Sequence, residues 1–163
     1  MSADTQAIEF TVNGQARRVS ADGGASLLDV LRNQLDLKGT RYGCGQEQCG
    51  SCMVLVDGEP AYACNRLVGT VAGRSVTTIE GIGSVAAPHP LQQAFLDEQA
   101  GQCGYCLSGI IVSAKALLDR NPSPSRANIV AALDKHLCRC GTHHRILRAV
   151  ERAVASLRGR KTR

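Results

Sequence analysis

The stretch Cys44-Gly45-Gln46-Glu47-Gln48-Cys49-Gly50-Ser51-Cys52 holds three cysteines, and a fourth, Cys64, follows after eleven further residues. This spacing, C-x4-C-x2-C and then a distant cysteine, matches the plant-type arrangement that holds a 2Fe-2S cluster. Glycines beside Cys44 and Cys49 let backbone N–H groups approach a bound sulfide. Zinc is the alternative, because C-x2-C pairs also bind it. The glycine-rich x4 and x2 spacing favours the iron–sulfur cluster.

Strand patterns surround this loop. Ile8–Val12 alternates apolar and polar residues, and Asn13-Gly14 is a strong hairpin signal that predicts a returning strand over 16–19. After the loop, 52–56 predicts a strand that Asp57-Gly58 turns back toward 61–63. These segments predict a small mixed sheet.

One helix is predicted between the hairpin and the cysteine loop. Ser26 can cap it, and its apolar residues have helical spacing. They are Leu27, Leu28, Val30, Leu31 and Leu35. This helix is expected to pack across the sheet.

Four more cysteines lie in the second half, as Cys103-x2-Cys106 and Cys138-x-Cys140. Loops at one end of a helical bundle can bring both pairs together. Taken alone, this set leaves an iron–sulfur cluster, a zinc site and free thiols open.

The second half is otherwise helical. Apolar periodicity predicts helices over 91–100, 107–118 and 126–136, and a last one from about 144 to 157. Ser125 can cap the third helix, after a proline-rich break at 121–125. The change from strands to helices between 81 and 90 predicts two domains, 1–83 and 84–163, in an α+β chain.

Composition narrows the function classes. The chain has 163 residues and eight cysteines, and its N-terminus shows no signal-peptide pattern. The expected compartment is therefore reducing, where metal ligation is more common than disulfide bonding. The longest uncharged apolar stretch, Cys106–Ala114, is too short to span a bilayer.

Charge divides the chain in two. Residues 1–100 carry 7 basic and 11 acidic side chains, whereas residues 101–163 carry 12 basic and 3 acidic ones. The basic tail Arg158–Arg163 lacks interleaved aromatic residues, so a nucleic-acid partner is not expected. Arg145, Arg148 and Arg152 have helical spacing, which predicts a solvated or protein-docking face.

Three segments together resemble a known family. Cys44–Cys52, Gln102–Cys106 and Leu137–Gly141 are similar to the small iron–sulfur subunit of the xanthine oxidase family of molybdenum hydroxylases. The resemblance extends from Ile8 to Leu157. It implies an N-terminal β-grasp ferredoxin-like domain followed by a C-terminal four-helix bundle domain, each with one 2Fe-2S cluster.

The resemblance also implies a function. Family members add oxygen from water to an aldehyde or an N-heteroaromatic ring, at a molybdopterin cofactor in a separate large subunit. Electrons then pass through the cluster on Cys103, Cys106, Cys138 and Cys140 to the cluster on Cys44, Cys49, Cys52 and Cys64. An external cytochrome or flavin accepts them. Gln102 and Cys140 match family positions that touch the pterin, and no residue of this chain is expected to be catalytic.

The sequence departs from the family pattern at two places. Leu107-Ser108-Gly109 stands where many relatives have Thr-Pro-Gly, so a differently shaped turn is expected after Cys106. Gly141-Thr142-His143-His144 replaces the commoner Thr-Gly-Tyr and resembles the isoquinoline 1-oxidoreductase alpha and aldehyde dehydrogenase small-subunit branch. In that branch the acceptor is often a cytochrome.

Other hypotheses remain open from sequence. His143 and His144 suggest Rieske-type ligation, but eight cysteines already complete two clusters. His136 and His89 are assigned to ordinary surface or packing positions. Two alternatives to the electron-transfer subunit are a free-standing two-cluster ferredoxin and a zinc module that binds protein or nucleic acid. A cytoplasmic location is the default expectation, with co-export to the periplasm by the partner as the alternative.

Overall fold

A hairpin opens the fold in the computed structural model, which describes residues 5–161 and, at residues 160 and 161, only the backbone. Strand β1 (Thr5–Val12) pairs antiparallel with β2 (Gln15–Asp22). Asn13 and Gly14 between them both have positive φ, 51° and 78°. These are the backbone angles of a tight two-residue hairpin turn, so the predicted hairpin is confirmed.

Three further strands complete a mixed sheet. They are β3 (Met53–Val56), β4 (Glu59–Tyr62) and β5 (Ser75–Thr77), and the order is β2-β1-β5-β3-β4. Pro60 lies in β4 at the edge of the sheet, where its missing N–H removes no ladder hydrogen bond from the sheet interior. Strand β5 is parallel to β1 and antiparallel to β3. The sequence did not predict β5, because a three-residue strand shows no alternating pattern.

The predicted first helix is short and widens after one turn. The Ser26 hydroxyl accepts from the Asp29 N–H at 3.1 Å and caps α1 (Leu27–Asp29). The chain continues as a π-helical turn over Val30–Gln34. The predicted cap is confirmed, and the predicted helix is α-helical only over Leu27–Asp29 before it continues as the π-helical turn, with Leu35 at its C-terminal end. The apolar face still packs on the sheet, through the fully buried Leu27, Val30 and Leu31.

Four helices form most of the second half. They are α2 (Pro90–Asp97), α3 (Leu107–Arg120), α4 (Arg126–Leu133) and α5 (His143–Lys161). Two of them end earlier than predicted. After α2, Gln99 turns into the left-handed region at φ 47°. After α4, the N–H of His136 bonds back to the carbonyl of Leu133 at 3.0 Å, and the chain leaves the helical path.

The two halves are packed against each other. Helix α3 lies on β3, where Met53 and Leu55 contact the buried Val112 and Ala116. Arg120 of α3 also pairs with Glu59 of β4 at 2.6 Å. Helix α2 packs against α5, and α4 contacts both α3 and α5. The chain is therefore α+β, as predicted.

None of the helices within residues 5–161 combines the length and the hydrophobicity that crossing a membrane requires.

Candidate metal centres

Backbone N–H groups point at the first cysteine sulfurs. The N–H groups of Gln46 and Gln48 approach Cys44 Sγ at 3.4 and 3.2 Å, and the Cys44 N–H approaches Cys49 Sγ at 3.3 Å. The Gln46 N–H, helped by that of Gln48, lowers the pKa of Cys44 to about 7. The loop therefore favours the thiolate, the form of cysteine that binds metal.

Glycine residues make this conformation of the cysteine loop possible. A Cβ on Gly43 would come within 2.5 Å of Cys49 Sγ, so only glycine leaves room for the sulfur there. Gly45 and Gly50 have positive φ, 71° and 74°, which glycine adopts without strain. The glycines predicted to let the backbone approach a cluster are thus needed for the shape of the loop.

The second pair of this site lies at the edge of the sheet. Cys52 directly precedes β3, and Cys64 follows β4, so the hairpin between the strands returns Cys64 to Cys52. The Ala63 N–H bonds to the Cys52 carbonyl at 3.1 Å. Burial, together with the neighbouring Cys64 thiol, raises the pKa of Cys52 to about 12. A bound metal ion reverses this preference, because it deprotonates the thiols that coordinate it.

The other four cysteines also meet in pairs. Cys103 interacts with Cys140, and Cys106 interacts with Cys138. The Tyr105 N–H lies 3.5 Å from Cys103 Sγ and lowers the pKa of Cys103. Burial, with the neighbouring Cys138 thiol, raises the pKa of Cys106 to about 12. The loops before α3 and α5 therefore bring these four thiols to one place.

This donor set fits two-iron clusters. All eight cysteines are free thiols, and they associate as 44 with 49, 52 with 64, 103 with 140, and 106 with 138. In a four-cysteine 2Fe-2S cluster each iron takes two thiolates, which is the same pairwise pattern. Within residues 5–161, no three histidine, cysteine or acidic side chains are grouped around a single metal position.

Exposure distinguishes the two sides of the second site. Cys103 is exposed and Cys140 is half-buried, whereas Cys106 and Cys138 are buried. Gln102 and Cys140 line one concave site of ≈ 330 Å³, together with Gly141, Thr142, His144, Arg145 and Arg148. The two residues predicted to contact a pterin therefore lie together, on the accessible side of these cysteines.

The loops that carry the second set of cysteines are bonded to the first cysteine loop and to the residues just before it. The Leu137 N–H donates to the Cys49 carbonyl at 3.1 Å. The Tyr105 hydroxyl donates to the Tyr42 carbonyl at 2.5 Å, and Arg41 lies over the Tyr105 ring. The two cysteine loops are thus joined directly by hydrogen bonds.

Thr142 is a residue of the second site that sequence reasoning missed. Its hydroxyl lies 3.3 Å from Cys138 Sγ, and its carbonyl accepts from the N–H groups of Arg145 and Ile146 at the start of α5. Burial raises the pKa of Cys138, but hydrogen bonds from Thr142 and the neighbouring thiol outweigh it and lower the pKa. Gly141 takes the left-handed conformation, at φ 70°. A threonine directly before a helix is a capping signal that could have identified this residue.

His136 is the second missed residue. It is 6% exposed, and its Nε2 lies 2.7 Å from the Ser113 hydroxyl. Burial, with a smaller effect of Lys135, lowers the pKa of His136 to about 4, so the imidazole is neutral at pH 7. By contrast, His143 and His144 are exposed at the start of α5.

The basic stripe on α5 is paired within the chain. Arg148 reaches Glu98 at 3.1 Å, and Arg152 reaches both Asp97 at 3.2 Å and Glu98 at 3.4 Å. Arg145 donates to the Gln99 carbonyl at 3.4 Å. The stripe predicted to be solvated or to dock a partner therefore also joins α5 to the end of α2. Residues 162 and 163 of the predicted basic tail lie outside the described residues.

Comparison with known proteins places both halves among iron–sulfur proteins. Residues 10–72 match the family model of a 2Fe-2S iron-sulfur cluster binding domain, and residues 78–151 match that of a 2Fe-2S binding domain. One subunit of the nicotinate dehydrogenase of Pseudomonas putida is 56% identical over 151 residues, which are 93% of this chain and 96% of that protein.

Two further relatives extend the likeness. The alpha subunit of isoquinoline 1-oxidoreductase from Brevundimonas diminuta is 52% identical over 148 residues, or 90% of this chain and 97% of that protein. The crystal structure of the aldehyde oxidoreductase from Desulfovibrio desulfuricans superposes with a TM-score of 0.91 at 46% identity. That alignment covers 94% of this chain but only 17% of the longer chain.

Proposed function

Because this chain belongs to the iron–sulfur subunits of the xanthine oxidase family of molybdenum hydroxylases, we propose that it is the electron-transfer subunit of such an enzyme. It passes electrons from the molybdenum centre of a large subunit, through two 2Fe-2S clusters, to an external acceptor. The observation that carries this proposal is the pairwise association of the eight cysteine thiols, on loops of the two halves that are hydrogen-bonded to each other.

Each half of the chain holds one cluster in this proposal. Residues 1–83, as a β-grasp domain, bind the outer cluster through Cys44, Cys49, Cys52 and Cys64. Residues 84–163, as a four-helix bundle domain, bind the inner cluster through Cys103, Cys106, Cys138 and Cys140. A 2Fe-2S cluster, when bound, supplies reversible storage of one electron. The backbone N–H groups at Cys44 and Cys103 offset the negative charge that each thiolate brings.

The exposure of the cysteine ligands supports a direction of electron transfer through the chain. The half-buried ligand Cys140 lines the pocket with Gln102, which suits contact with a cofactor on another chain. The buried pair Cys106 and Cys138 lies toward the first cysteine loop, through the bond from Leu137 to Cys49. Electrons thus enter beside Gln102 and Cys140 and leave toward the outer site.

Substrate chemistry belongs to the partner. The relatives are subunits of oxidoreductases, and this chain corresponds to 17% of a longer aldehyde oxidoreductase chain. The large partner subunit carries the molybdopterin cofactor and hydroxylates an aldehyde or an N-heteroaromatic compound with oxygen from water. A cytochrome or a flavin is reduced by the electrons that leave the substrate. The names of the relatives, nicotinate dehydrogenase and isoquinoline 1-oxidoreductase, favour the heteroaromatic class.

Purification and metal analysis test this function. We expect the chain expressed with its native partner to co-purify with a molybdenum-containing subunit, and to bind two irons at each four-cysteine site. Cys49→Ser should remove only the outer-cluster EPR signal, and Cys103→Ser should remove only the inner one. With Cys49→Ser, substrate should still reduce molybdenum, but turnover with the natural acceptor should stop.

Three results would contradict the proposal. A chain that carries both clusters but elutes without any molybdenum-containing partner would be a free-standing ferredoxin. Colourless protein with bound zinc and no EPR signal would be a zinc module. Unchanged turnover of Cys49→Ser with the natural acceptor would show that electrons do not pass through the outer site.

A further inference from the structure

Gly50 is enclosed from two directions. It lies between the outer ligands Cys49 and Cys52 and is buried. A Cβ on Gly50 would overlap the His136 ring, and a Cβ on Gly109 would overlap the Gly50 carbonyl. The outer loop is therefore held between an imidazole on one side and the first turn of α3 on the other.

Ser113 joins His136 to helix α3. It lies one helical turn after Gly109 on the same face of α3, and its hydroxyl is 2.7 Å from His136 Nε2. We call Gly50, Gly109, Ser113 and His136 the loop clamp. Gly109 follows the inner ligand Cys106 by three residues, and His136 precedes the inner ligand Cys138 by two. The clamp thus joins both buried ligands of the inner site to the outer loop.

We propose that His136 is a positioning residue that fixes the outer-cluster loop against the buried ligand pair of the inner cluster. The inference rests on the proposed function, since it presumes that both sites hold clusters. Its consequence is a fixed separation between the two clusters, which sets how strongly they interact. Loosening the clamp should change that interaction without removing either cluster, because none of its four residues is a ligand.

Packing alone does not require an imidazole at this position. His136 Nδ1 is buried and has no hydrogen-bond partner among the described residues, and such a group costs free energy. An aliphatic side chain would fill the space without that cost. The imidazole adds a planar ring against Gly50 and one directed bond to Ser113, and together these hold the loop in one orientation.

Four variants of the full chain, each with both clusters, test the inference. Gln reaches the position of the imidazole Nε2 and keeps the bond to Ser113, whereas Asn reaches only the position of Nδ1. The variants are therefore His136→Ala, His136→Asn, His136→Gln and Ser113→Ala. The matched control is His143→Ala, since His143 is exposed and lies outside the clamp. Iron content and the two EPR signals report on the clusters themselves.

The decisive measurement is the magnetic splitting between the two signals in fully reduced protein at low temperature. We expect wild type, His136→Gln and His143→Ala to share one splitting. His136→Ala, His136→Asn and Ser113→Ala should retain full iron and show a reduced or lost splitting, together with slower electron exchange between the clusters. Ser113→Ala removes one hydroxyl only, so it decides the matter if His136→Ala fails to fold.

An unchanged splitting in Ser113→Ala and His136→Asn would overturn the inference, because His136 would then only fill space. The absence of one cluster from wild-type protein would instead contradict the proposed function. The two failures are therefore distinguishable.

Discussion

At the scale of single residues, hydrogen-bonding groups that are not cluster ligands lie against the sulfurs of the ligating cysteines. Cys44 receives two backbone N–H groups, and Cys138 faces the Thr142 hydroxyl at 3.3 Å. Hydrogen bonds to cluster sulfurs are one of the factors that set the reduction potential of an iron–sulfur cluster. A donor stabilises the reduced cluster more than the oxidised one, because reduction adds negative charge.

Thr142→Val tests this effect at the inner site, since it removes the hydroxyl and preserves the shape. The reduction potential of the inner cluster should fall by tens of millivolts, because a hydrogen bond of about 1 kcal/mol corresponds to about 40 mV in a one-electron couple. An EPR-monitored redox titration measures it. Thr40→Val is the control, because the Thr40 hydroxyl is buried without a partner among the described residues. Equal shifts in both variants, or none in Thr142→Val, would contradict the assignment.

At the scale of elements, helix α4 is held in place by few buried side chains. It has eight residues, and Ile129 is its one buried side chain, at 1% exposed. Helix α4 contacts both α3 and α5 and leads directly to His136 and Cys138. The placement of two inner ligands therefore relies mainly on Ile129, with the partly buried Leu133 packed beside it against the same core.

Ile129→Ala should lower the free energy of unfolding by about 2–5 kcal/mol, the usual cost of truncating a buried isoleucine. The neighbouring Val130 is 45% exposed, so Val130→Ala should change it by no more than about 0.5 kcal/mol. Chemical denaturation followed by circular dichroism compares the two. Similar midpoints for both variants would mean that α4 is held by other contacts.

Elements that are determined by neighbouring residues, such as turns and helix caps, were predictable from sequence. Elements that are determined by contacts between distant parts of the chain were not. The hairpin follows from Asn13-Gly14, and the cap of α1 follows from Ser26. Strand β5 exists because Val76 pairs with both β1 and β3. The sequence around Val76 does not indicate this pairing. Likewise, α4 ends before His136 because that residue turns toward Ser113 and the outer loop. The cysteine spacing indicated the two sites, but the clamp between them depends on tertiary packing.

At the scale of the whole molecule, the charge asymmetry between the halves is partly neutralised within the fold. Arg148 and Arg152 of the basic half pair with Asp97 and Glu98 of the acidic half. Exposed pairs of this kind contribute little each, about 0–1 kcal/mol. The α2–α5 contact is therefore held mainly by buried apolar residues, such as Leu91, Phe95 and Val150. The pocket beside it, with Gln102 and Cys140, remains accessible for a partner.

Gln102→Ala tests whether this pocket is where electrons enter. Gln102 is exposed and is not a ligand, so both cluster signals and the unfolding midpoint should stay unchanged. Reduction of the inner cluster by substrate should slow in the complex with the large subunit, because a contact at the proposed entry point is lost; rapid mixing with freeze-quench EPR measures this. Gln99→Asn is the matched control, since Gln99 is exposed nearby but does not line the pocket, and asparagine tolerates its positive φ of 47°. If Gln102→Ala reduced its inner cluster as fast as Gln99→Asn, electrons would enter at another surface, and the exposed Cys103 would be the next position to examine.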